Sequence, residues 1–125
     1  MRKVVSVLLF LVIGFFSLAA MKDGSYSVEG RASGGWQPFM KMTIKNEKII
    51  NVQYDRKNSQ GQLLSMDDKN FRDGSFALSR SLKSTQNVNT IENINNSELT
   101  NEFKTMANFL INKANSGQTG DFNLN

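Results

Sequence analysis

The chain has 125 residues, a formal net charge of +4 at pH 7, and neither Cys nor His. Disulfides are therefore excluded, and with them go most transition-metal sites and the usual nucleophile–base dyads, so any hydrolase would have to run on carboxylates. Arg2 and Lys3 supply two of the positive charges, and the remainder is too small an excess to argue for a nucleic-acid partner.

The N-terminus reads Arg2-Lys3, then an apolar run from Val4 to Ala20, then polar residues from Lys22. This is the layout of a secretory signal peptide, with Ser17 and Ala19 as the small residues for cleavage before Ala20. The run is slightly shorter than the ~20 residues of a membrane-spanning helix, so an uncleaved N-terminal anchor is the alternative. Either reading places the rest of the chain outside the cytoplasm, secreted or tethered to the membrane. Removing the first 20 residues from 125 leaves 105, enough for one compact domain. That domain is expected over residues 21–117, with 118–125 as a short tail.

Asp23-Gly24 signals a turn, and Tyr26 and Val28 alternate with Ser27 and Glu29 as in a half-buried strand. Gly30 to Gly35 form a loop, and Trp36-Gln37-Pro38 lead into Met40, Met42 and Ile44, with Lys41, Thr43 and Lys45 on the other face. Past Asn46-Glu47 the alternation resumes, placing Ile50, Val52 and Tyr54 on one side and Asn51, Gln53 and Asp55 on the other. The two runs predict a β-hairpin with one apolar and one wet face. Asn58 to Gly61 break the pattern, and Leu63 to Gly74 read as a loop with at most one helical turn. A short helix or strand is expected around Ser75 to Lys83, and an extended or loop segment from Gln86 to Asn96. Leu99, Phe103, Met106, Ala107, Leu110, Ile111 and Ala114 then follow the spacing of one apolar helix face. Ser97 is the expected N-cap and Gly117 the C-terminal stop. The fold class is α+β, a small antiparallel sheet with its hairpin covered by a long C-terminal helix.

Two further patterns invite chemistry. Asp67, Asp68, Asn70, Asp73 and Gly74 suggest a calcium loop, but Gly74 falls one position late and Ser79 stands where the closing Glu belongs, so they read as a solvated acidic segment. Lys41, Lys45, Lys48, Arg56 and Lys57 cluster around the hairpin and read as its wet face, with contact to an anionic cell-envelope surface as the functional alternative.

Asp23-Gly24-Ser25-Tyr26, Met42-Thr43-Ile44, Lys45-Asn46-Glu47-Lys48-Ile49 and Asn51-Val52 resemble, in order, the opening of FMN-binding domains. These are the modules on flavin-carrying subunits of the sodium-pumping NADH:quinone reductase and Rnf complexes. Gly35-Trp36-Gln37-Pro38-Phe39, Asp55-Arg56-Lys57-Asn58-Ser59-Gln60-Gly61 and Ser65-Met66-Asp67 are similar to segments of the flavin-carrying lipoproteins of Gram-positive extracellular electron transfer. The resemblance covers most of the chain past Ala20. It implies a flavin attached to the Thr of a Val-Asp-x-x-Ser-Gly-Ala-Thr motif just before the last helix. Here Val88-Asn89 occupies the start, and the attachment tetrad falls on Glu92-Asn93-Ile94-Asn95 or on Ile94-Asn95-Asn96-Ser97, neither with the Gly or the Thr.

The resemblance therefore implies an exported, FMN-binding-domain-like accessory or binding module without covalent flavin and without a catalytic constellation. The alternative is an extracytoplasmic electron-transfer protein that holds FMN non-covalently. The residues it points to are Asn95, Asn96 and Ser97; Trp36 reads as a lid on the core at the sheet edge or, alternatively, as a stacking surface for the ring. The implied partner is a flavinylated or membrane redox protein.

Overall fold

A computed structural model describes residues 20–94 and 96–124. The predicted signal segment thus lies outside the described residues, apart from Ala20. Four strands, β1 (Gly24–Glu29), β2 (Gln37–Lys45), β3 (Lys48–Lys57) and β4 (Gly120–Asn123), form one sheet in the order β3-β2-β1-β4. Three helices, α1 (Leu64–Asp67), α2 (Lys69–Thr85) and α3 (Ser97–Asn115), lie between β3 and β4, with a 3-10 turn at Val88–Thr90. The class is α+β, as expected. Among the described residues, no helix is long and apolar enough to cross a membrane.

The hairpin forms as its alternation dictates. Met40, Met42, Ile44, Val52 and Tyr54 are buried beneath α2 and α3. Its two-residue turn places both Asn46 (φ 52°) and Glu47 (φ 63°) in the left-handed region, the pattern of a type I′ turn. Glu accepts that region at a cost of about 1 kcal/mol. The Asn46 N–H is held by Asp23 Oδ1 at 2.9 Å. One residue departs from the predicted face. A bulge on β3, opposite the Thr43/Ile44 step of β2, leaves Ile50 without a partner, so that Ile44 faces Ile49 and Thr43 faces Asn51. Ile49 is buried and Ile50 is half exposed, because the extra residue reverses the phase at that end of the strand.

α3 buries Leu99, Phe103, Met106, Ala107, Leu110 and Ala114, the predicted stripe, while Ile111 sits at its margin. Gly117 (φ 70°) ends it, its N–H bonding Ala114 O and the Gln118 N–H reaching Lys113 O, a Schellman closure.

Two elements correct the sequence reading. Residues 69–85 are one helix, where a loop was expected up to Gly74. Asp68 caps it by accepting the Phe71 N–H at 3.1 Å, and its inner face runs Phe71, Ser75, Leu78, Ser79, Leu82. Two serines on that face erase the apolar period. The expected tail is also structured: β4 joins the sheet parallel to β1, making the sheet mixed rather than antiparallel. Phe122 turns onto the helix side and meets Phe109 edge-on at 5.8 Å, with Lys113 Nζ over both rings.

Candidate functional site

The segment before α3 caps itself. Asn96 is extended (φ −147°), and its side-chain oxygen accepts the Leu99 N–H at 3.0 Å. Its carbonyl accepts the Thr100 N–H at 3.0 Å and the Thr100 hydroxyl at 2.9 Å, and its own N–H donates to Asn93 Oδ1 at 3.0 Å. Asn96, not Ser97, is therefore the N-cap. Ser97 is the first helical residue and is exposed. Asn95 lies outside the described residues.

Asn96 also borders a cavity of about 490 Å³ between α2 and the entry to α3, with Asn70, Asp73, Ile94 and Leu99. Gly74 lets the segment close on α2, since a Cβ there would stand 2.9 Å from both Ile94 Cδ1 and Leu99 Cδ2. Asp73 is bonded to Lys69 Nζ at 2.6 Å, which holds its carboxyl below the ordinary value. The acid at the cavity wall is thus one half of an ion pair.

Trp36 belongs to a different element. It is half-buried in the β1–β2 loop, where its backbone and that of Ser33 exchange hydrogen bonds of 2.8 and 3.1 Å around the Gly34-Gly35 turn. Both glycines have positive φ, which accounts for the pair. None of the cavities described here is lined by both Trp36 and Asn96.

The wet face of the sheet carries a shallow cavity of about 420 Å³ lined by Ser27, Glu29, Phe39, Lys41, Lys57 and Asp121, among others. Its charges are largely satisfied internally: Lys57 Nζ pairs with Glu29 at 2.5 Å and sits over the Phe39 ring, and Ser27 bonds Asp121 at 2.5 Å. The basic cluster read from the sequence is split. Lys57 belongs to this face, whereas Arg56 turns to the helices and pairs with Glu102 at 3.0 Å.

The Asp55–Gly61 and Ser65–Asp67 motifs have an architectural explanation. Asp55 is buried, accepting the Ser65 N–H at 3.1 Å, the Ser65 hydroxyl at 2.5 Å and the Arg56 N–H at 2.8 Å. Asn58 accepts the N–H groups of Gln60 and Gln62, and Gly61 takes the left-handed conformation the turn requires. Together they clamp α1 over the end of β3. Of the acidic residues in the calcium-like pattern, Asp67 precedes α2, Asp68 caps it and Asp73 lies within it, and among the described residues no group of three or more acidic side chains could hold a metal ion.

The sequence reading missed the Tyr54–Arg56–Glu102 cluster. Tyr54 and Arg56 leave the same side of β3, and Glu102 is one turn into α3. Burial, followed by the Glu102 carboxylate, pushes the Tyr54 hydroxyl far above its ordinary value. Burial opposes the charge of Arg56, but the Glu102 carboxylate outweighs it and raises the guanidinium. The pairing spans two distant segments, and no local motif announces it.

The fold is similar to that of the CPE2226 protein from Clostridium perfringens. Its crystal structure aligns with a TM-score of 0.71 and 20% identity, over 84% of this chain and 99% of that one. At that identity the likeness shows the fold alone. No family model and no curated protein matches the chain.

Proposed function

We propose that this chain is an exported, non-enzymatic binding module built like an FMN-binding domain and carrying no covalent flavin. In this reading it works beside a flavinylated or membrane redox partner at the cell envelope. The observation that carries it is the state of Asn96. Where the family presents a small Gly-Ala pair and a Thr to the flavin phosphate, this chain has an Asn whose side-chain oxygen, carbonyl and N–H are all committed to starting α3. Ser97 offers a hydroxyl, but it follows a bulky residue fixed in place.

Intact mass after co-expression with a flavin transferase tests this reading. The unmodified mass is expected. An adduct of FMN minus water, lost in Ser97→Ala, would overturn it. A yellow native protein that releases free FMN on denaturation would favour the non-covalent electron-transfer reading instead. A colourless protein that gains no thermal stability from added FMN supports the flavin-free module. Export is tested separately by fusing residues 1–30 to a reporter active only outside the cytoplasm, and activity confined to the cell interior would refute it.

A further inference from the structure

β3 is an edge strand, and the chain covers that edge unevenly. At one end the side chain of Gln86 lies against it as a peptide group would: its Oε1 accepts the Ile49 N–H at 2.8 Å and its Nε2 donates to Ile49 O at 2.9 Å. At the other end the Ser75 hydroxyl donates to the Tyr54 carbonyl, and the Arg56 N–H is taken by Asp55. Successive residues of an antiparallel strand send their N–H and C=O groups to opposite edges. Tyr54 and Arg56 point outward, so Val52 points outward too. Its N–H and C=O, with the Tyr54 N–H, have no hydrogen-bond partner among the described residues.

These groups open onto a groove of about 410 Å³ between the β3 edge and α2. Ser79 lines it at only 8% exposure, and its hydroxyl makes no hydrogen bond among the described residues. A buried hydroxyl without a partner loses its water without compensation, so a polar guest there is favoured. Phe76, half exposed, and Leu63 supply apolar walls. Arg80 and Lys83 stand along the rim, both exposed and neither in an ion pair among the described residues.

We propose that this groove binds a short, extended, acidic peptide segment. One guest residue pairs its backbone with the N–H and C=O of Val52, continuing along the edge what the Gln86 amide begins. Its apolar neighbour rests on Phe76 and Leu63, and its carboxylates meet Arg80 and Lys83. Main-chain pairing supplies affinity and the rim charges supply selectivity. The proposal rests on a different part of the molecule from the flavin reading, and failure of either leaves the other standing.

Fluorescence anisotropy of a labelled hexapeptide of alternating glutamate and valine tests it. Saturable binding is expected, weakening as salt rises from about 50 to about 300 mM. Arg80→Glu combined with Lys83→Glu, both at exposed positions, is expected to weaken it at least about tenfold, with an unchanged melting curve. N-methylation of the peptide's central amides is expected to weaken it as much, because the Val52 pairing is lost. If the charge-reversed variant melts early, Arg80→Gln with Lys83→Gln repeats the test. No saturation by about 1 mM peptide would overturn the proposal, since that corresponds to only about 4 kcal/mol. So would equal binding of a lysine–valine hexapeptide or of the N-methylated peptide. A self-association of the chain that the peptide does not compete away would assign the edge to a second copy and likewise overturn it.

Discussion

Tyr54 donates its hydroxyl to Oε1 of Glu102, and the same oxygen accepts Nε and Nη2 of Arg56 at 3.1 and 3.0 Å. The Arg56 guanidinium lies over the Phe71 ring at 5.3 Å, and the Tyr54 ring meets Phe71 and Phe103 at 5.8 and 5.4 Å. One carboxylate on α3 thereby fastens β3 to both long helices. Glu102→Ala should strand the buried phenol and leave the guanidinium without its partner. Arg56 and Glu102 are each about a quarter exposed (25% and 28%), so water compensates in part, and a loss of about 1–2 kcal/mol is expected rather than the fuller cost of a buried break. Urea unfolding measures it. A loss within error would mean that apolar contacts alone fix the helices on β3.

The same contact sets a dependence on alkaline pH. The folded-state pKa of Tyr54 is raised, by burial first and by Glu102 second, above the ordinary value of about 10 that the unfolded chain has. Its contribution to stability is therefore fully present below about pH 10 and is lost as pH rises toward the folded value. Stability should fall above about pH 10 with a slope of up to about 1.4 kcal/mol per pH unit from this residue. Tyr54→Phe should flatten that slope. Tyr26, also raised by burial and by Asp23, should keep a residual slope in the variant. An unchanged slope in Tyr54→Phe would assign the effect elsewhere.

Asp55 makes a third test, because it is buried and two of its three hydrogen bonds come from the buried Ser65. Asp55→Ala should cost about 2–4 kcal/mol, since the buried Ser65 donors and the part-buried Arg56 N–H lose their acceptor. Asp55→Asn keeps one acceptor oxygen and should cost less. Limited proteolysis should show earlier cleavage between Asn58 and Asp68 in the alanine variant. If both variants melt with the wild type, α1 is held by Leu63 and Leu64 instead.

The hairpin and α3 were legible because their burial follows local periods of two and 3.6 residues over long runs. The legibility failed wherever a non-local partner decides the outcome. Ile50 follows the alternation on paper, yet a bulge opposite Thr43 puts Ile49 inside instead. α2 hides behind Ser75 and Ser79, which occupy inward positions because one serves the edge of β3 and the other faces the groove. Asn96 and Ser97 are both good caps, and only the hydrogen bond to Leu99 chooses between them. For candidate sites, the sequence points to the entry of α3 and is silent on the β3 groove, whose main-chain groups carry no residue signature.

β4 gives the last test, since it is the element least visible in the sequence and the one that closes the β1 edge. Its register pairs Tyr26 with Gly120 and Val28 with Phe122, and the Leu124 N–H extends the ladder to Glu29 O at 2.8 Å. Phe122 is half-buried against Phe109 beneath the Lys113 ammonium. Phe122→Asp replaces that aromatic contact with a carboxylate near Lys113. The new charge pair compensates only in part, and a loss of about 1–2 kcal/mol is expected. Truncation after Gly117 should cost more, about 2–4 kcal/mol, because the whole ladder goes and the backbone of β1 is left unpaired. The truncated chain should also self-associate in sedimentation experiments at concentrations where the Phe122→Asp chain stays monomeric, because only the truncation opens the edge. A truncated chain with the stability and monomeric state of the full one would show that residues 118–124 only rest on the sheet and do not complete it.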